Sequence, residues 1–149
     1  DLAPAKSPGE IDAAAMERVV EALNLLRMND PDRLGDWFGR FITVYRSGGQ
    51  VAPGDDPRSR IEVEWDLQHG ASLRRHPFSR MAWRKARRGA RLYVNGVGHP
   101  LPARDAARIA DNAVLDGRLY ASLSEAGRDR VIELMQEGHY QLDLGDDAQ

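Results

Sequence analysis

The chain has 149 residues, enough for one ordinary domain or two small units with separate cores, and its 42% hydrophobic and 30% charged content excludes a broadly disordered protein. It contains no cysteine, which excludes disulfides, thiolate metal sites and a cysteine nucleophile, and which suits the expected cytoplasmic location. The net charge of -2 hides an asymmetry: residues 67–104 carry nine of the 21 basic residues and none of the 23 acidic ones, a split that can steer a partner but says nothing about fold.

Residues 1–9, rich in Pro, Ala and Ser, read as a linker or extended arm. They lack the basic region and apolar run of a signal peptide, and no apolar segment approaches the ~20 residues needed to span a bilayer, so no membrane partner is expected. From Glu10 the pattern turns helical, with Ile11, Ala15, Val19, Leu23 and Leu26 recurring at three or four residues. Asn29 and Asp30 stop that run. Asp30-Pro31 then predicts an N-cap and a first-position proline for a second helix over 31–46, ending at Gly48. Four of the chain's ten aromatic residues fall within 37–45. Leu34, Trp37, Phe38, Phe41, Ile42, Val44 and Tyr45 cover an arc wide enough for packing on both sides. Gly39 interrupts them at a helical cost of about 1 kcal/mol relative to Ala, which a close backbone approach would offset. Two such helices are too small for a robust core, which points to a partner.

GGQVAPGDDPRSR reads as a loop. Asp56-Pro57 is expected to open a third helix carrying Ile61, Val63, Trp65 and Leu67, although the near-alternating spacing keeps a strand as its rival. Short segments SLRR and SRMAW follow, and Asn95-Gly96 predicts a hairpin turn between two short strands in RLYVNGVGHPL. Pro102 starts an alanine-rich helix over 102–114. A further helix follows, with Ser122 and Glu125 as its capping box and Val131, Ile132, Leu134 and Met135 on its buried side. Gly138 ends it, and HYQLDL alternates Tyr140, Leu142 and Leu144 as a half-buried strand. The order suits an α+β fold: a linker and helical dimerisation region over 1–48, then a small winged-helix-like domain over 49–149.

Chemistry-bearing motifs are sparse. His69, His76, His99 and His139 have no acidic residue two positions on and no HExxH context, so they read as surface or turn residues. Phosphate-cradling glycine loops and GxSxG are absent from the sequence, and no catalytic, metal or cofactor residue is assigned. The strongest electrostatic feature is Arg74, Arg75, Arg80, Arg84, Lys85, Arg87, Arg88 and Arg91, interleaved with Phe78, Trp83 and Tyr93. Such a strip suits either nucleic acid, through phosphate neutralisation and stacking, or docking on an acidic surface of the chain or of a partner domain. The last helix, the candidate groove reader, carries Glu125, Asp129, Glu133 and Glu137, which disfavours nucleic acid. The aromatic helix suits a homodimer seam, with Val19, Leu23, Leu26, Leu34, Trp37, Phe38, Phe41 and Ile42 as interface candidates.

DWFGRFIT (36–43), ASLRRHPFSRMAW (71–83), LYVNG (92–96) and LMQEGHY (134–140) together resemble the C-terminal half of the bacterial ribosomal-protein oxygenases of the JmjC/cupin superfamily. The resemblance covers about 8–144. It implies a JmjC domain, then helices that dimerise, then a winged helix, in an Fe(II)- and 2-oxoglutarate-dependent hydroxylase of a ribosomal-protein arginine or histidine. The family's iron ligands, a His-x-Asp/Glu pair and a distal His, have no counterpart here, because His-x-Asp/Glu does not occur in the sequence. The chain, which does not begin with Met, is therefore expected to be the non-catalytic portion of such a protein. Its expected partners are a second copy, its own JmjC domain and a ribosomal protein. The alternative is a stand-alone winged helix that binds nucleic acid through the basic strip.

Overall fold

Reciprocal hydrogen bonds at Ser59 and Glu62 show how local chemistry starts the elements of this chain, seen in a computed structural model that describes residues 11–27, 29–44, 51–55 and 57–146. Among them are helices α1 (Ala13–Arg27), α2 (Pro31–Thr43), α3 (Arg60–Gln68), α4 (Ala103–Asp111), α5 (Gly117–Ala121) and α6 (Glu125–Gln136). The strands are β1 (Ser72–Arg75), β2 (Met81–Lys85), β3 (Ala90–Val94), β4 (Val97–Leu101), β5 (Val114–Asp116) and β6 (Tyr140–Asp143). They form two antiparallel three-stranded sheets, ordered β5-β1-β6 and β2-β3-β4. The α+β class is the one expected from the order of elements.

Asp30 caps α2 by accepting from the Arg33 N–H at 3.1 Å, with Pro31 behind it. The helix stops at Thr43, earlier than expected, because Val44 turns extended; Tyr45 and Gly48 lie outside the described residues. The third element is a helix, and its cap is Ser59 rather than the expected Asp56-Pro57. Its near-alternating apolar residues resolve into two pairs spaced by four: Val63 and Leu67 are buried, whereas Ile61 and Trp65 are exposed. Asn95 and Gly96 both adopt positive φ, 46° and 87°, the geometry of a tight hairpin turn joining Val94 to Val97.

Between α4 and α6 the structure departs from the sequence reading. The alanine-rich helix ends at Asp111, and residues 114–121 form β5 and α5, which were not anticipated. The cap of α6 is Ser124, not Ser122, which instead closes α5. Ser124 is chosen because Asp105 of α4 accepts from both its N–H and its hydroxyl, a contact 19 residues away. Leu144 is exposed and lies beyond β6. One core gathers Val63, Leu73, Leu92, Val94, Ile109, Leu115, Val131 and Leu134 from both sheets and from α3, α4 and α6.

The β2-β3-β4 sheet lies between two helices, with α4 against β2 and β3 and α2 against all three strands. Alternation along β3 sends Ala90, Leu92 and Val94 into the core and Arg91 and Tyr93 toward α2.

Candidate functional site

The docked face of α2 is made of small and acidic residues. Asp32, Gly35, Asp36, Gly39 and Thr43 recur at helical spacing, and each meets the β2-β3-β4 sheet or its turn. A Cβ at Gly39 would lie 2.4 Å from the Tyr93 ring, and one at Gly35 would lie 2.5 Å from the Arg84 guanidinium. Tyr93 donates its hydroxyl to Asp36 at 3.0 Å, and burial, with that hydrogen bond second, pushes its pKa up to about 12. Arg84 pairs with Asp32 at 3.0 Å and Arg91 with Asp36 at 3.6 Å. Thr43 Oγ1 donates to the Gly39 carbonyl and accepts from the Gly96 N–H at 2.9 Å, tying the end of α2 to the hairpin turn.

With that face docked, the apolar stripe of α2 points elsewhere. Phe38, Phe41 and Ile42 are exposed at 52%, 45% and 40%, Leu34 and Trp37 are half-buried, and Trp37 stacks on Phe41 at 5.2 Å. On α1, Ala15, Ala22 and Leu25 are half-buried, while Met16, Val19, Val20, Leu23 and Leu26 are exposed; the helix contains no buried residue. The eight residues singled out for a dimer seam are thus all exposed or half-buried.

The basic strip is not one surface. Arg75 donates to the carbonyls of Ile109, Ala110 and Asn112 and so closes the C-terminus of α4. Arg74 pairs with Asp143 at 2.6 Å, and Arg84 and Arg91 face α2. Arg80 is exposed, its N–H donating to Asn95. Lys85, Arg87 and Arg88 stand exposed at the β2–β3 turn. The interleaved aromatics are not laid out as a platform: Tyr93 is buried beneath α2, Trp83 packs on the core and Phe78 is half-buried. The acidic pair Asp32 and Asp36 was the missed element. Its signal was visible as two carboxylates four residues apart, alternating with Gly35 and Gly39 along the helix, ahead of an acid-free basic strip.

His99, half-buried within β4, is a correction to the reading of the histidines as surface or turn residues, whereas His139 does lie in a turn, between α6 and β6. His139 is half-buried, shares a 2.8 Å hydrogen bond with Ser79 through Nδ1, and has Glu137 3.7 Å from Nε2. Burial, then the nearby His76, lowers its pKa; burial and Arg130 lower that of His99, against Glu133 and Glu137. A histidine whose folded pKa lies below its unfolded value binds fewer protons when folded. Stability is then complete above the unfolded value of 6.5 and declines as pH falls through it toward the folded value. The urea midpoint is expected to drop between about pH 7.5 and pH 5.5, and His139→Gln to flatten that slope. An equally steep slope in the variant would remove His139 as its origin. Among the described residues, no three His, Asp or Glu side chains converge in a set that could hold a metal, and no helix is long and apolar enough to cross a membrane.

Comparison with known proteins gives this geometry a family. A search of curated proteins finds no match. The X-ray structure of E. coli YcfD is similar over 96% of this chain and 38% of its own, at 23% identity and a TM-score of 0.67. Structures of YcfD, described as a ribosomal oxygenase from Escherichia coli, in complex with cobalt and succinic acid or with cobalt and 2-oxoglutarate, are 24% identical, with TM-scores of 0.66 and 0.64. Both matches cover 96% of this chain and 39% of YcfD, and at these identities the likeness speaks for the fold. The profile of the ROXA-like winged helix matches residues 26–141, from the last turn of α1 into β6. Helices ahead of a small sheet-and-helix unit, matched over most of its length, place the chain in the ROXA-like winged-helix family.

Proposed function

We propose that this chain is the non-catalytic dimerisation and winged-helix portion of an Fe(II)- and 2-oxoglutarate-dependent hydroxylase that acts on an arginine or histidine side chain of a ribosomal protein. The observation that carries the reading is the inverted packing of α2, which docks its glycine and aspartate face and leaves Phe38, Phe41 and Ile42 exposed, as Val19, Leu23 and Leu26 of the neighbouring α1 also are. The likeness to a ribosomal oxygenase, over under two-fifths of that protein's length, supports the rest. The described residues do not fit the iron, so iron and 2-oxoglutarate are assigned to a JmjC domain outside them, together with the ribosomal-protein contact. Residues 1–48 are assigned as linker and dimerisation region and 49–149 as the winged-helix-like domain, a division of role that α2 bridges through its docked face.

Sedimentation of the chain is expected to show a homodimer. Trp37→Ala or Phe41→Ala should cost that dimer about 2 kcal/mol or more, roughly thirtyfold in dissociation constant. A monomer at high concentration would overturn the seam. The reading as a stand-alone nucleic-acid reader has less support, since the exposed side of α6 presents Glu125, Asp129 and Glu133, followed by Glu137 at its C-cap.

A further inference from the structure

Packing separates the nine cations of residues 67–104 into those with internal partners and those at one tip. The β2–β3 turn carries Lys85, Arg87 and Arg88, all exposed, Arg87 at 92%. Asp32 approaches Arg87 at 3.8 Å, and among the described residues no carboxylate lies within ion-pair distance of Lys85 or Arg88. The turn is closed by a backbone hydrogen bond and packs against the end of β4. Ala86 donates its N–H to the Gly89 carbonyl, and a Cβ at Gly89 would lie 2.8 Å from the Leu101 carbonyl oxygen and 3.8 Å from Pro102. That contact brings the tip beside the first turn of α4, where Arg104 is also exposed. Three cations on four consecutive hairpin positions, with a fourth alongside and one weak carboxylate, make a narrow positive projection on a chain of net charge -2.

We infer that this tip grips the phosphate backbone of double-stranded RNA. The tip offers no large apolar side chain to anchor a peptide, which disfavours a protein partner. It offers no stacking surface to unpaired bases, because Trp83 and Tyr93 are turned inward. What remains is charge neutralisation with counterion release, which favours the denser phosphate array of a duplex and reads no sequence. The choice of RNA over DNA rests on the proposed ribosomal role.

The test is fluorescence anisotropy of the chain with a labelled RNA duplex, a single strand of the same length and a glutamate-rich peptide. The duplex is expected to bind at low salt with a log–log salt slope of about -3. Arg87→Ala/Arg88→Ala is expected to weaken binding at least tenfold and make the slope shallower by about 2, while Arg74→Ala, whose partner is Asp143, leaves binding unchanged. No duplex binding at low salt, equal binding by the peptide, tighter binding by the single strand, or an unaffected Arg87/Arg88 variant would each overturn the inference. Sedimentation of the same samples separates the two proposals. Lost RNA binding with an intact dimer sinks only this inference, and a monomer that still binds duplex sinks only the seam.

Discussion

Gly39→Ala is expected to destabilise the chain by about 2–3 kcal/mol, although alanine is the better helix former by about 1 kcal/mol. The added Cβ would sit 2.4–2.6 Å from three atoms of the Tyr93 ring. That ring cannot yield: it is 1% exposed, its hydroxyl is bonded to Asp36, and Gly98 closes its other side, where a Cβ would lie 3.3 Å away. Strain must therefore move α2 off the sheet and weaken the Arg84–Asp32 and Arg91–Asp36 pairs with it. Urea denaturation at fixed protein concentration measures the loss. The double variant Gly39→Ala/Tyr93→Ala isolates its cause, since truncating the ring should remove most of the additional penalty at residue 39. A Gly39→Ala protein more stable than the parent would mean that α2 does not dock through this face.

Asp105→Ala is the second large effect, expected at about 3 kcal/mol. Asp105 is 2% exposed on α4 and accepts from the Ser124 N–H at 3.0 Å and from the Ser124 hydroxyl, whose oxygen in turn accepts from the Gly127 N–H at the start of α6. Truncation removes the acceptor of both Ser124 donors, loosens the cap and opens buried space beside Gly127, where Asp105 Cγ lies 2.7 Å from an ideal Cβ. A carboxylate at a helix N-terminus is also favoured by the helix dipole. Asp105→Asn, which preserves the shape and one acceptor, should cost less. Equal losses for the two variants in thermal unfolding would show that volume alone, not the hydrogen bonds, holds this corner.

Several features were legible because their causes are local. The Asp30-Pro31 start, the Asn95-Gly96 turn and the apolar side of α6 depend on residues one to four positions apart, and all three are found in the structure. The misreadings lie where distant groups decide. Ser122 and Ser124 both offer a hydroxyl, and only Asp105, 19 residues before Ser124, makes Ser124 the cap. The short β5 exists because β1 pairs with it, placing Leu73 opposite Leu115. The basic strip reads as one stretch in sequence. Its residues separate because strand alternation, the C-terminus of α4 and the carboxylates of α2 and β6 claim them individually.

By itself, the sequence determined the α+β class, a helix over DWFGRFIT and the hairpin turn, since each follows from periodicity, capping or turn chemistry within a few residues. Only the tertiary structure decided which face of that helix is docked. Apolar periodicity ordinarily marks the inward side. Here Tyr93, Arg84 and Arg91, each about 50 residues or more beyond their partners on α2, required a smooth groove and two carboxylates, which Gly35, Gly39, Asp32 and Asp36 supply. The aromatic stripe was left on the outside as a consequence.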